Sequence, residues 1–163
     1  MRAPGLCDLQ VNGFAGVDFN DARLTGDAFD HACAAMLRTG VTTFLPTLIT
    51  ATREDLEARF AALDGALAQS RLGPLMCPGY HLEGPFLNAA PGFRGCHPHE
   101  AMTAPDAGFV ERLAKTLARP ILLVTYAPEN DPGLAFAKAM RAAGRLVAIG
   151  HADVDFAPAR RSD

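Results

Sequence analysis

Met76-Cys77-Pro78-Gly79-Tyr80-His81-Leu82-Glu83-Gly84-Pro85, near the middle of the chain, decides the fold. A strand is expected over Met76 to Leu82; it closes on His81-Leu82-Glu83, and Gly84-Pro85 breaks it at once. Parallel α/β sheets collect their functional groups in this way, at the carboxyl ends of strands. Because side chains alternate along a strand, His81 and Glu83 share a face.

The same plan recurs on both sides. Upstream, Leu6 to Asn12 reads as a strand closed by Gly13 and a glycine-rich loop through Gly16. Thr25 to Arg38 reads as a helix with Thr25 as its cap, Phe29, Cys33, Met36 and Leu37 in helical register, and Gly40 as its stop. Val41 to Leu45 is β-branched and aromatic, hence a strand, with Pro46 expected to end it. Thr52 to Ser70 carries a capping signal at Thr52 and Asp55 and an apolar stripe through Leu56, Phe60, Leu63 and Leu67. Downstream, a long loop from Gly84 to about Ala104 precedes a helix (Asp106 to Leu117), a strand (Ile121 to Tyr126), a helix (Pro132 to Ala143) and a strand (Leu146 to Ile149). From Asp153 the chain begins what reads as another helix and runs into Arg160-Arg161-Ser162-Asp163.

Five strands separated by four helices at this spacing require a parallel sheet. Two architectures fit: a doubly wound open sheet, or an incomplete (β/α) barrel, since a whole barrel needs about 250 residues and the chain has 163. Hydrophobic residues make up 49 % and charged residues 20 %, with a formal net charge of −3, the composition of a soluble globular enzyme. A nucleic-acid partner would need a clustered basic excess, so none is expected. Met1-Arg2-Ala3-Pro4-Gly5 has no secretory pattern, and no apolar run approaches the roughly 20 residues that span a bilayer. No membrane partner is expected either. Cys7, Cys33, Cys77 and Cys96 lie far apart, arguing against a zinc knuckle or disulfide framework and for a reducing, cytoplasmic setting.

Polar residues end strand after strand: Gln10 and Asn12, His81 and Glu83, Ala127-Pro128-Glu129, and Gly150-His151. Glu83 and His151, a carboxylate and an imidazole from separate strand ends, make a plausible start to a metal site. Singly, each has a plainer reading as a solvated loop residue, a cap or a structural histidine. His31 lies on a helix and is expected at the surface; His97 and His99 lie in the long loop, where metal or substrate contact competes with exposure. The Gly13-Phe14-Ala15-Gly16 loop lacks the spacing of a dinucleotide fingerprint.

The string of signals is stronger than any member. Pro4-Gly5-Leu6-Cys7-Asp8-Leu9-Gln10-Val11-Asn12-Gly13 resembles the opening of the amidohydrolase superfamily barrel. Gly40-Val41-Thr42-Thr43-Phe44-Leu45-Pro46-Thr47-Leu48-Ile49-Thr50, His81-Leu82-Glu83-Gly84-Pro85-Phe86-Leu87-Asn88, Tyr126-Ala127-Pro128-Glu129 and Ile149-Gly150-His151 resemble, within it, the N-acetylglucosamine-6-phosphate deacetylases. The resemblance runs from Pro4 to about Phe156 and implies an incomplete TIM-like (β/α)8 barrel over residues 1–163, truncated at both ends relative to the family.

It also implies metal-dependent hydrolysis of the acetamide of N-acetylglucosamine 6-phosphate to glucosamine 6-phosphate and acetate. One divalent cation, usually zinc, would be held by Glu83 and His151, with a further histidine lying beyond this chain. Many relatives bind a second metal through a His-x-His pair on the first strand. Gln10 and Asn12 stand there, and neutral amides are poor zinc ligands, so the one-metal version is implied. Cys96 and His97 fall where the family touches the amino sugar. The proton-transfer aspartate and the phosphate contacts would lie beyond Asp163, so no catalytic residue is assigned within the chain, and it is expected to be an inactive or incomplete fragment. Two alternatives stay open: a non-catalytic half-barrel that associates with itself, as a homodimer, or with a separately encoded C-terminal half; and a different amidohydrolase acting on another amide or cyclic imide.

Overall fold

The long helices form where the capping signals put them. In the computed structural model, which describes residues 4–155, the hydroxyl of Thr25 accepts from the Ala28 amide and starts α1 (Gly26–Thr39). Gly40 ends it with φ 94°, a backbone state that costs glycine little. Thr52 accepts from the Asp55 amide and starts α2 (Arg53–Gln69), whose Leu56, Phe60, Leu63 and Leu67 are buried. Asp106 caps α4 (Ala107–Ala114) through the Phe109 amide, and the Asp131 carboxylate accepts the first amides of α5 (Ala135–Ala142). The helix expected from Asp153 lies, past Asp155, outside the described residues.

Five strands, β1 (Leu6–Val11), β4 (Val41–Ile49), β5 (Tyr80–Glu83), β6 (Ile121–Tyr126) and β7 (Leu146–Ile149), pair in chain order, every pair parallel. The sheet curls into a half-barrel with helices between the strands. This order of neighbours is the barrel's, not the doubly wound sheet's, where the chain reverses direction across the first strand. Phe44, Leu48, Tyr80, Leu82 and Val124 face the helices and form the core with Phe29, Leu56 and Phe60. The register leaves Thr47, His81, Glu83 and Thr125 on the opposite, concave face.

Three local expectations are corrected. Pro46 does not end its strand: β4 continues to Ile49, and Val11 lies opposite Pro46 where the ladder to β1 is irregular. Proline has no N–H to give the ladder, and where the ladder is irregular the Val11 amide donates instead to the Thr47 hydroxyl at 3.0 Å. Met76 and Cys77 are not in a strand. Gly73–Met76 forms a single helical turn, α3, opened by Pro74, and β5 begins at Tyr80. The loop after Gly13 is itself a hairpin, β2 (Gly13–Phe14) against β3 (Val17–Asp18). Its two turn residues, Ala15 and Gly16, both have positive φ, as a type I′ turn requires. The four cysteines are free thiols, Cys33 and Cys77 buried, Cys7 and Cys96 exposed. Among the described residues, no helix is long and apolar enough to cross a membrane.

One carboxylate ties the helical layer together. Asp30, on α1, accepts from the Ser70 hydroxyl (2.5 Å) and from the amides of Arg71 (3.0 Å) and Leu72 (2.9 Å), donors left free where α2 ends. Partial burial opposes its ionisation, but the bonds from Ser70, Leu72 and Arg71 outweigh it and hold its pKa down to about 2. A carboxyl with a pKa below its unfolded value of about 3.9 stabilises the fold above that value and loses the contribution as pH falls toward 2. Asp30→Ala is expected to cost about 2–3 kcal/mol at neutral pH, since several charge-assisted bonds go at once. Urea melts should show the gap between parent and variant closing from pH 4 to pH 2. A gap independent of pH would mean that the ionised form is not what matters.

Candidate metal centre

The polar concave face is built in two levels. The lower centres on His81, buried among four strands. Its Nδ1 donates to the Leu9 carbonyl of β1 (3.1 Å) and approaches the Thr47 hydroxyl of β4 (3.2 Å); its Nε2 accepts from the Thr125 hydroxyl of β6 at 2.7 Å. Burial pushes the ring's pKa down to about 4 against the opposing pull of Glu83 and the Leu9 carbonyl. His81 is thus a neutral strap across β1, β4, β5 and β6, with both nitrogens used.

The upper level is set by Glu83, two residues on and on the same face. Its Oε2 accepts from the Gln10 side-chain amide at 2.9 Å. Its Oε1 lies 3.3 Å from His151 Nε2 and 3.8 Å from His97 Nε2. One ligand atom from each of Glu83, His97 and His151 falls within 4.8 Å of the others. A carboxylate and two imidazoles gathered this closely are a donor set that could hold one divalent cation. The two rings meet edge to face, their centroids 4.4 Å apart.

Three separate segments deliver these groups. Glu83 ends β5. His97 comes from the long loop after Gly84, which folds back on itself through the Thr103 amide on the Pro85 carbonyl (3.1 Å). His97 is buried although Cys96 and His99, beside it, are exposed. Its Nδ1 lies 2.8 Å from the Thr50 hydroxyl, and burial lowers its pKa against the attraction of Glu83. His151, just past β7, has φ 51°, a left-handed state that costs a β-carbon residue energy and is held by its surroundings. The His151 Nδ1 donates to the Phe93 carbonyl (2.8 Å), and its own carbonyl accepts the Asn88 amide (3.0 Å). The Asn88 side chain in turn donates to Glu129 at 2.7 Å, and Glu129 also takes the Asp153 amide at 2.7 Å. The Glu129 carboxylate therefore braces both sides of His151.

Of the residues singled out in the sequence, Glu83, His97 and His151 come together and Gln10 reaches them. Asn12 does not: its amide points to the Thr47 carbonyl at 3.4 Å. Cys96 is exposed beside the cluster, and His31 and His99 lie at the surface. Thr50 and the bracing role of Glu129 were missed. A threonine directly after a strand end and a glutamate in a Pro-Glu turn were the available signals, too common to single out.

No protein-family model matches the chain. Over 164 residues it is 32 % identical to the N-acetylglucosamine-6-phosphate deacetylase of Caenorhabditis elegans, covering 96 % of this chain and 38 % of that protein. The Bos taurus deacetylase is 33 % identical over 98 % of this chain and 39 % of its own length. The chain thus spans about two fifths of the length of the curated relatives it matches. Among solved structures, the N-acetyl-D-glucosamine-6-phosphate deacetylase of Mycobacterium smegmatis superposes with a TM-score of 0.82 at 31 % identity, over 98 % of this chain and 43 % of that one. An aspartate-to-alanine variant of the same enzyme, in complex with N-acetyl-D-glucosamine-6-phosphate, gives 0.83 at 31 % identity over 98 % of this chain and 39 % of that one. The Pasteurella multocida enzyme gives 0.79 at 28 % identity over 98 % of this chain and 40 % of that one.

Proposed function

We propose that this chain, which belongs by sequence and fold with the N-acetylglucosamine-6-phosphate deacetylases, carries the cation-holding portion of such an enzyme. The reaction in view adds water across the acetamide of N-acetylglucosamine 6-phosphate, releasing acetate and leaving the amine of glucosamine 6-phosphate, in cytoplasmic amino-sugar catabolism. The observation that carries the reading is the convergence of Glu83, His97 and His151 from three segments at the carboxyl ends of the strands.

A carboxylate and imidazoles suit zinc among the available divalent ions. Such a cation supplies Lewis acidity to the acetamide carbonyl and acidity to water. Glu83 and His151 hold it, and Gln10 fixes the Glu83 carboxylate by occupying Oε2, so that Oε1 is the oxygen turned toward the histidines. The loop over residues 84–104 covers the site: a β-carbon on Gly95 would stand 3.2 Å from His151 Cε1. Cys96, exposed on that loop, is the residue offered to the amino sugar. The family resemblance implies an aspartate not among these 163 residues as the group that carries a proton to the leaving amine.

Equilibrated with zinc and freed of excess, the purified chain is expected to retain one equivalent. Incubated with N-acetylglucosamine 6-phosphate, it should release no acetate at an ordinary enzymatic rate of about 1–1000 s⁻¹. A folded chain without zinc would overturn the cation reading. Acetate at an ordinary rate would overturn the incomplete site, and turnover of a cyclic imide instead would favour the other amidohydrolase chemistry. A second reading, a non-catalytic half-barrel, draws on exposed Leu6 and Leu9 on β1 and Leu146 on β7, at opposite edges of the sheet. Sedimentation of the same sample, alone and with a separately encoded C-terminal half, tests it: a homodimer or a complex supports it, a lone monomer in both runs removes it.

A further inference from the structure

Arg145, the residue before β7, is buried beyond what its one ion pair explains. Its side chain is 9 % exposed, and the Glu111 carboxylate of α4 pairs with Nη1. Among the described residues the rest of the guanidinium has no partner: Nε is buried without an acceptor, and Nη2 makes no bond. Nε–H and Nη2–H form one edge of the group, two parallel donors spaced to meet two oxygens of a carboxylate or a phosphate. A buried donor without an acceptor is costly, and nearly all such donors in folded proteins have one.

Arg145 lines a cavity of about 150 Å³ together with Arg141, Leu146 and Val147. Arg141 stands one helical turn earlier, in the last turn of α5; it is exposed and makes no ion pair among the described residues. A cation at the carboxyl end of a helix is favourable in itself, which accounts for Arg141. It does not account for burying a second arginine beside it. Two guanidiniums against the single carboxylate of Glu111 leave the place positively charged. The cavity lies at the amino end of β7 and His151 follows the other end, so the strand separates it from the metal centre.

We infer that Arg145 and Arg141 form an oxyanion site whose ligand is a phosphate group. The free edge of Arg145 takes two of its oxygens and Arg141 a third. A carboxylate has two oxygens, and the Arg145 edge uses both. A phosphate offers three and carries about −1.5 to −2 charges at pH 7, enough to meet both arginines. The site is independent of the cation reading, and neither stands on the other.

The test follows the Arg145 side-chain Nε–H by ¹⁵N spectra of the zinc-free chain at pH 7, while chloride is exchanged for inorganic phosphate at constant ionic strength. Shielded from water, this proton should give a sharp resonance that moves along a saturable curve, with a dissociation constant of about 1 mM for a few charge-assisted bonds. Arg141→Ala should raise that constant about 10-fold, and Arg145→Lys, which keeps the charge and loses the fork, should abolish saturation, as read from backbone amides. Glu111→Gln, which removes the competing anion, should lower the constant about fivefold. If Arg145→Lys does not fold, the opposite effects of the other two variants decide. An Arg145 resonance unmoved by phosphate overturns the site, as does a constant unchanged in both Arg141→Ala and Glu111→Gln. Shifts spread evenly over the other arginines would mean an adventitious ion only and overturn it too. Acetate giving the same curve as phosphate overturns the choice of phosphate as the ligand.

Discussion

Glu83→Ala is expected to weaken zinc binding by two to three powers of ten while leaving the metal-free chain folded. Structural zinc in four-ligand peptides is worth about 10–16 kcal/mol, so one anionic ligand accounts for roughly 3–4 kcal/mol, and each 1.4 kcal/mol is about tenfold in affinity. Glu83 is the only anionic member of the cluster, and the histidines offer neutral nitrogens. Without zinc its position is costly, because a buried carboxylate gives up its hydration and here receives one side-chain donor, the Gln10 amide. Glu83→Gln keeps the shape and removes the charge. It should leave metal-free stability within about 1 kcal/mol of the parent, since the loss of a charge-assisted bond is offset by cheaper burial. Chelator competition and urea melts on the same samples separate the two effects. A Glu83→Gln chain that binds zinc like the parent would show that the carboxylate is not a ligand.

The largest effect on the fold itself is expected from Phe44→Ala. Phe44 lies on β4, stacked on Phe19 (centroids 5.8 Å apart) and Phe29 (6.1 Å), which meet each other at 5.2 Å. All three rings are fully buried, and they join the segment after the hairpin, helix α1 and the second strand of the sheet. Truncating a buried phenylalanine to alanine costs about 3–5 kcal/mol through lost burial and the cavity left behind. The broken ring pairs add about 0.5–1.5 kcal/mol each. Against a total stability of about 5–15 kcal/mol for a domain, that brings the chain close to unfolding at room temperature. Leu75, 80 % exposed, is the contrasting site, and Leu75→Ala should change stability by less than about 0.5 kcal/mol. A loss at Phe44 below about 1 kcal/mol would show that the ring cluster does not hold β4 to α1.

What was legible in the sequence was what local chemistry decides. Thr25, Gly40 and Thr52 bound their helices because a cap is a bond between residues three or four apart, visible in one dimension. β6 and β7 have the bounds expected of them, apolar runs stopped on both sides. Pro46 misled because the cost of a proline in a strand depends on the neighbouring strand, and β1 is irregular where it passes. Met76 misled because Gly73-Pro74 starts a helical turn, and an apolar pair inside such a turn looks like the start of a strand. The site divides along the same line. Glu83 and His151 stood out by their place at strand ends, and Gln10 was noted as a substituted metal position rather than as the partner of Glu83. The burial of His97 could not be read from a loop rich in glycine, proline and histidine. It depends on Thr50, 47 residues earlier, and on how the loop closes.

The exposure of β7 has a consequence for the order in which the site assembles. Among the described residues this strand pairs on one side alone, with β6, and none of its residues is fully buried. Like β1 at the other edge, it should be among the first strands to open in the native chain. His151 lies just past its end, so an opening of β7 would carry one member of the cluster away from Glu83 and His97. A cation bound only to the closed form stabilises by mass action in proportion to its concentration over its dissociation constant. Most of that gain would fall on the single opening that carries His151 away, and zinc supply would set how long the last strand stays in place.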